Sequence, residues 1–182
     1  MDFIQLAAAR YSCRSYTGQP VSREDLDACA KAACLAPSAR NSQPWRIILV
    51  DDPEVVAKVR EQTSDEELKL NLFTQKAMAF AVFVNEGISY TPVNRGKMKG
   101  DNYTKSDIGG AVACFCLEAA ERGIGSCIIG SFSADGVKKL LGIPAEKGLD
   151  LIVALGHPAD GKIPGKNRRP MEEVVFYNGY PG

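Results

Sequence analysis

Two apolar stretches, residues 78–84 and 149–155, the second broken only by Asp150, constrain this chain most. Each has the length of an interior strand and falls far short of the ~20 residues that a membrane span requires. Residues 45–50, WRIILV, form a third strand: the run is rich in β-branched side chains and ends at Asp51-Asp52-Pro53. Residues 126–132 form a fourth. Helical periodicities fill the intervals. Residues 2–9 carry an apolar side behind Asp2 as N-cap, and Ser22 caps a helix whose Leu26, Cys29, Ala30, Ala33 and Cys34 recur at helical spacing until Pro37 ends it. Residues 53–62 and 64–75 read as two more helices. A long one runs from Thr104 to about Arg122, with Ile108, Ala111, Val112, Phe115 and Ala119 on one face and Gly123 as its stop, and a short one covers 134–141. Helices and strands mix without the strict alternation that a parallel doubly wound sheet demands.

At 182 residues the chain suits a single domain, 1–182, large enough to bury a core without disulfides or a structural metal. Lysine plus arginine equals aspartate plus glutamate at 22 each, so the basic surplus of a general nucleic-acid binder is missing. The opening MDFIQLAAAR carries an acid where a signal peptide needs a basic region, and no membrane segment appears; the expectation is a cytoplasmic protein. Six cysteines lie mostly inside apolar runs and read as reduced core thiols. Residues 86–103 hold Gly, Pro, Asn and Lys without periodicity, a loop long enough to act as a lid. Residues 162–182 combine a basic loop with a strand-like apolar tail, which needs a sheet edge from its own chain or from a neighbour's.

The usual catalytic templates fail. His157 is the one histidine, set between Gly156 and Pro158, and such a residue is more often structural than catalytic. With no CxxC pair, a zinc site lacks ligands, and no metal is expected. The glycines of Gly123-Ile-Gly125-Ser-Cys-Ile-Ile-Gly130 have the wrong spacing for a dinucleotide fingerprint, and Gly161-Lys-Ile-Pro-Gly165-Lys166-Asn167 lacks the length and hydroxyl of a P-loop. What remains is an anion site and a planar-ring site. Arg10, Ser12 and Arg14 alternate, so on an extended backbone they point the same way, two guanidinium forks and a hydroxyl suited to one phosphate. Lys162, Lys166, Arg168 and Arg169 form a second basic cluster. Asn41 and Gln43, on alternate residues of a proline-bounded segment, each offer donor and acceptor to the edge of a flavin or pyrimidine. Each feature read alone is also ordinary surface or turn chemistry.

Four blocks, in order, resemble the nitroreductase family of flavin oxidoreductases: Arg10-Tyr-Ser-Cys-Arg14-Ser-Tyr; Ala36-Pro-Ser-Ala-Arg-Asn-Ser-Gln-Pro-Trp45; Asp107-Ile-Gly-Gly-Ala through Gly123-Ile-Gly-Ser-Cys-Ile-Ile-Gly130-Ser; and Ala154-Leu-Gly-His-Pro through Arg168-Arg-Pro-Met-Glu-Glu-Val. The second block is the most diagnostic, and the compact length looks like the family's short subgroup. The resemblance implies an α+β fold, a mainly antiparallel central sheet flanked by helices, in an intertwined homodimer with an extended C-terminal tail and FMN at the interface. By motif position, Arg10, Tyr11, Ser12 and Arg14 would hold the phosphate and flavin edge, with Lys166 and Arg168 completing the grip. Tyr11 stands where many relatives have His or Arg. Ser38, Asn41 and Gln43 would approach the ring from the partner subunit. Ile128, Ile129, Gly130 and Ser131 would lie along one ring face, with the N–H of Ile129 or Gly130 meeting flavin N5.

The activity implied is ping-pong: NAD(P)H reduces FMN and leaves, and a nitroaromatic, quinone or similar electron-poor acceptor takes its place. Two rivals stand beside it. One is another FMN activity of the family, a dehydrogenase or dehalogenase; the other is a flavin-binding or thiol-based redox sensor, for which Cys13 is the one thiol expected to be both exposed and surrounded by positive charge.

Overall fold

The computed structural model describes residues 1–87, 103–161 and 163–181. Nearly all of the 86–103 segment, and Lys162 of the second basic cluster, therefore lie outside the described residues. Four strands form one sheet in the order β1–β2–β4–β3: β1 (Trp45–Val50), β2 (Ala79–Asn85), β3 (Gly125–Ile129) and β4 (Gly148–Gly156), each antiparallel to its neighbours. The two most continuous apolar runs are the two central strands, as burial on both faces requires. Every residue of β2 is buried.

Helices cover both faces. On one, α2 (Arg23–Cys34) and α4 (Thr104–Glu121) pack over Ala81, Phe83, Val153 and Leu155. Phe115 of α4 meets Phe83 edge to face at 5.7 Å, and Arg122 ties the helices together by bridging Glu118 and Asp25. On the other face, α3 (Pro53–Thr63) and α5 (Ala134–Leu141) cover Phe80, Val82, Ile152 and Ala154. The expected caps are in place: Asp2 and Gln5 form a capping box on α1 (Phe3–Ala9), and Ser22 accepts the Asp25 N–H on α2. Among the described residues no helix is long and apolar enough to cross a membrane.

Three expectations need correction. The helix over 64–75 does not form. The Asp65 carboxylate accepts the Leu68 N–H, the backbones of Asp65 and Leu70 pair, and Lys69 and Asn71 adopt left-handed φ of 52° and 50°. An Asp-closed turn thus wins over helical spacing, and only a 3₁₀ turn, Leu72–Lys76, follows. The tail forms no strand within the described chain. After the 3₁₀ turn Met171–Glu173 it bends, leaving Val174, Val175, Phe176, Tyr177 and Tyr180 exposed. The strand expected over 126–132 also stops earlier, at Ile129.

The segment from Arg10 to Thr17 is laid against the sheet. Ser12 bridges Ser126 in parallel register, the Cys13 N–H donates to Ser126 O (2.9 Å), Tyr16 bridges Pro158, and the Thr17 N–H donates to His157 O (2.9 Å). Gly125 and Gly156, a cross-strand pair, make the approach possible. A Cβ on Gly125 would lie 2.7 Å from Cys13 Sγ, and one on Gly156 would lie 2.8 Å from the Tyr16 ring. We therefore expect Gly156→Ala, which forces Tyr16 out of its slot, to cost about 1–3 kcal/mol by overpacking. Urea denaturation measures this; an unchanged midpoint would refute the tight seating of Tyr16.

Candidate functional site

Three cations meet at the C-terminal end of α1. Arg10 is the helix's last-turn neighbour, and Lys166 arrives from the loop after β4 and donates through Nζ to Ala7 O, one of the carbonyls the helix leaves free. Burial, then the charges of Arg10 and Arg168, hold the Lys166 ammonium below its ordinary value, so all three groups share one neighbourhood. Among the described residues, none of Arg10, Arg14, Lys166 and Arg168 has a carboxylate within ion-pair distance. Arg169 differs. It pairs with Glu173 (Nε to Oε2, 3.3 Å) and donates to that residue's carbonyl, which assigns it to the tail and leaves Arg168 to the cluster. Like charges held together without counter-charge are what an anion site requires and what a folded surface otherwise avoids.

Ser12 and Arg14 are exposed on the same strip of chain, while Cys13 between them is buried. Ser12 and Arg14 line one depression together, while Arg10 lines the neighbouring one with Ala120 and Gly123. Tyr11 is half-buried; burial and its bond to the Cys13 thiol (3.7 Å) push it up to about 12, leaving a neutral phenol as donor. Open depressions flank the strip. One of about 490 Å³ is lined by Arg10, Tyr11, Ser126 and His157, and the other by Tyr11, Ser12, Arg14 and Asp160.

Where β3 ends, Ile128 is 40% exposed, Ile129 is buried, and Gly130 and Ser131 are exposed. The N–H groups of Gly130 and Ser131 have no backbone acceptor among the described residues, so both are available to a ligand. The Ser131 carbonyl is held by Asn71 Nδ2 at 2.8 Å, and the same amide reaches Thr63 O at 3.2 Å. Two residues further on, the Phe73 ring lies under the Arg14 guanidinium, 5.7 Å from its centre. One turn thus touches both the arginine strip and the end of β3. Sequence reasoning missed Asn71 and Phe73, because the helix expected over 64–75 hid them; the Asn in a polar stretch was the only available signal.

The loop from Ser38 to Gln43 is strained and braced. Arg40, Asn41 and Gln43 have φ of 55°, 54° and 44°, an uncommon concentration of left-handed residues that carry side chains. Ser38 Oγ accepts the Gln43 N–H (2.9 Å), Gln43 Nε2 donates to Asn41 Oδ1 (3.0 Å), and the Asp107 carboxylate accepts the Ala39 N–H (3.1 Å). Asn41 and Gln43 are both exposed. This loop does not meet the arginine strip within one chain. It sits at the N-terminal end of α4, whereas Arg10 lies by Ala120 and Gly123 at the other end, a separation of about 20 Å along the helix. It also leads into β1 while the strip lies on β3, at the opposite edge of the sheet, about 14 Å away at ordinary strand spacing.

Burial corrects one further expectation. Cys13 is 1% exposed and its thiol donates to Ser15 O (3.3 Å), so it lacks the access that a reactive thiol needs, against the exposure expected of it. His157 is bonded into the fold: its Nε2 lies 3.2 Å from Pro20 O and its carbonyl accepts the Thr17 N–H.

Comparison with known proteins agrees with this geometry. The NADH dehydrogenase of Thermus thermophilus is 29% identical over 201 residues, covering 97% of this chain and 96% of that protein. Iodotyrosine deiodinase 1 of Rattus norvegicus is 25% identical over 198 residues, covering 96% of this chain and 68% of that protein. The fold matches the solved structure of the FMN-dependent nitroreductase of Clostridium difficile R20291 with a TM-score of 0.77 at 23% identity, covering 98% of this chain and 100% of that one. The sequence model of the nitroreductase family matches residues 7–157, from the last turn of α1 to the end of β4. With that match spanning both the sheet and the arginine strip laid on it, the chain belongs to the nitroreductase family.

Proposed function

We propose that the chain is an FMN-dependent oxidoreductase that takes electrons from NAD(P)H and delivers them to an electron-poor acceptor such as a nitroaromatic or quinone, in ping-pong fashion, as a homodimer. The observation that carries this reading is the uncompensated cation cluster of Arg10, Lys166 and Arg168, continuous with Ser12 and Arg14 and ending at the free N–H groups of Gly130 and Ser131. A phosphate at one end and a hydrogen-bonding ring edge at the other match that distribution of donors. When bound, FMN supplies the redox chemistry, accepting a hydride at N5 from a reduced nicotinamide and passing electrons to the acceptor.

The protein's part is placement and electrostatics. Arg10, Lys166 and Arg168 hold the phosphate by charge-assisted bonds, with Tyr11 and Ser12 as neutral donors beside it. The Gly130 N–H, or that of Ile129, would serve flavin N5, and Ile128 and Ser131 would line the same ring face. Arg14 supplies positive charge at the ring edge where negative charge accumulates. The carboxamides of Asn41 and Gln43 and the hydroxyl of Ser38 belong to the partner's half of the site, because about 20 Å of α4 separates them from Arg10 in their own chain. The outward face of α4 supports a dimer. Ser106, Gly109, Gly110, Ala113, Leu117 and Ala120 are small or apolar and lie away from the core, and a Cβ on either glycine would meet nothing within 4 Å. The exposed tail offers further apolar surface to a partner.

The likeness to iodotyrosine deiodinase 1 favours a second reading, reductive dehalogenation of an aromatic ring at the same flavin face.

The visible spectrum tests the proposal. Purified protein should carry or take up FMN, bleach on addition of NADH or NADPH, and regain colour with a nitroaromatic; a chain that ignores added FMN rejects it. Reoxidation by an iodinated phenol but by no nitroaromatic or quinone would favour the second reading. Arg10→Ala should weaken FMN binding by about 1.5–3 kcal/mol, the worth of a charge-assisted bond, and titration showing unchanged affinity would reject the phosphate assignment. Ala113→Arg places a long charged side chain on the outward face of α4, where a monomer tolerates it within about 0.5 kcal/mol. It should leave the fold intact but abolish the dimer and, with it, flavin binding; a full-strength dimer by sedimentation would show that this face is not the interface.

A further inference from the structure

Several arginines are held by carboxylates: Arg23 by Asp51, Arg46 by Glu86, Arg122 by Asp25 and Glu118, and Arg169 by Glu173. Arg14 is held differently. Its guanidinium lies over the face of Phe73, 5.7 Å from the ring centre, and its one hydrogen bond among the described residues is a long one, 3.5 Å, to Ser12 O. A carboxylate would fix the group and also neutralise it. An aromatic face fixes it through the ring quadrupole while the full charge and nearly all its N–H donors stay available.

The ring can serve as a fixed platform because the turn that bears it is pinned. Thr74, fully buried, donates through Oγ1 to Asn71 O (2.9 Å), and Thr63 Oγ1 donates to Thr74 Oγ1 (3.2 Å). Asn71 reaches across to Thr63 O and Ser131 O. Phe73 itself is half-buried against the core cluster that contains Phe80, Val82 and Ile152. The same turn therefore sets the position of Arg14 and of the N–H-bearing end of β3.

We propose that Phe73 is a positioning residue: its ring holds the uncompensated Arg14 guanidinium at the edge of the bound flavin and so favours the reduced cofactor over the oxidised one. This rests on the flavin reading above. Hydride transfer from a reduced nicotinamide oxidises that donor by two electrons and adds two electrons and one proton to the ring system, which gains one negative charge. A fixed cation beside that charge strengthens binding of the reduced form. Phe73 touches neither cofactor nor substrate in this account and acts through Arg14.

The test is the midpoint potential of bound FMN, with separate titrations of FMN affinity, for the full-length protein and its Phe73→Leu, Phe73→Tyr, Arg14→Gln and Phe73→Leu/Arg14→Gln variants. Phe73→Leu should reduce the preference for reduced over oxidised flavin by about two- to fivefold, the range for a cation–π contact at an exposed site, which for a two-electron couple is about 10–20 mV more negative. Phe73→Tyr, which keeps the ring, should restore the wild-type potential. In the Arg14→Gln background the same leucine should move nothing. Should Phe73→Leu misfold, Phe73→Met is read by the same criteria. A potential unchanged by loss of the ring, or shifted equally with and without Arg14, overturns the positioning role while leaving the flavin reading intact. Wild-type protein that binds no FMN overturns both.

Discussion

The seating of the extended strip from Arg10 to Tyr16 against β3 and the end of β4 is the constraint on which the rest of the site depends. Two glycines paired across the sheet, Gly125 and Gly156, leave a slot into which Cys13 and Tyr16 settle, and the Tyr16 hydroxyl then donates to the carbonyls of Cys13 and Ala154. Burying one side of the strip forces the other side outward. Ser12 and Arg14 are therefore presented to solvent by the same contacts that fix Cys13, and Arg10 is delivered to the end of α1, where Lys166 meets it. The proposed flavin-binding surface is thus the outside of a packing interaction, so a change in the slot would be felt at the cation cluster.

Holding unpaired cations together opposes stability, and the structure distributes that cost among neutral partners. Lys166 is satisfied by a helix-end carbonyl, Arg168 by Asn167 O, and Arg14 by a ring face. Each of these fixes geometry without cancelling charge. The strained loop on the other side of the molecule follows the same logic with carboxamides. Asp107, in the first turn of α4, accepts the Ala39 N–H, and three consecutive hydrogen bonds hold a backbone that side-chain-bearing residues seldom adopt. Such strain persists only where the surroundings over-determine it.

Much of this was legible in the sequence. The four strands, the caps at Asp2 and Ser22 and the buried face of α4 follow from apolar periodicity and local hydrogen bonding, which act over a few residues. The alternation around Cys13 likewise places Ser12 and Arg14 on the exposed side of the strip, because an extended strip has period two. What stayed hidden depends on contacts distant in sequence. Helical spacing over 64–75 gave no sign that Asp65 would close a turn and Asn71 turn left-handed, so the placement of Asn71 against Ser131, 60 residues away, was out of reach. Cys13 looked accessible beside two arginines, and only the glycine slot buries it. The apolar run over residues 174–177 of the tail reads as a strand, yet a strand needs a free edge. One end of β3 is already occupied by Ser12 and Cys13, and the tail of this chain bends away from the sheet instead.

The central claim is that each flavin site takes its cations from one subunit and its carboxamides from the other. It is tested most directly with a heterodimer, isolated through two affinity tags, of an Arg10→Ala chain and an Asn41→Ala/Gln43→Ala chain. If the halves combine across the interface, one of its two sites carries every defect and the other carries none. Equilibrium titration should then show a single FMN bound with wild-type affinity per heterodimer, although neither homodimer binds tightly. If both sites of the heterodimer bind FMN weakly, each site is built within one chain, and the account is contradicted.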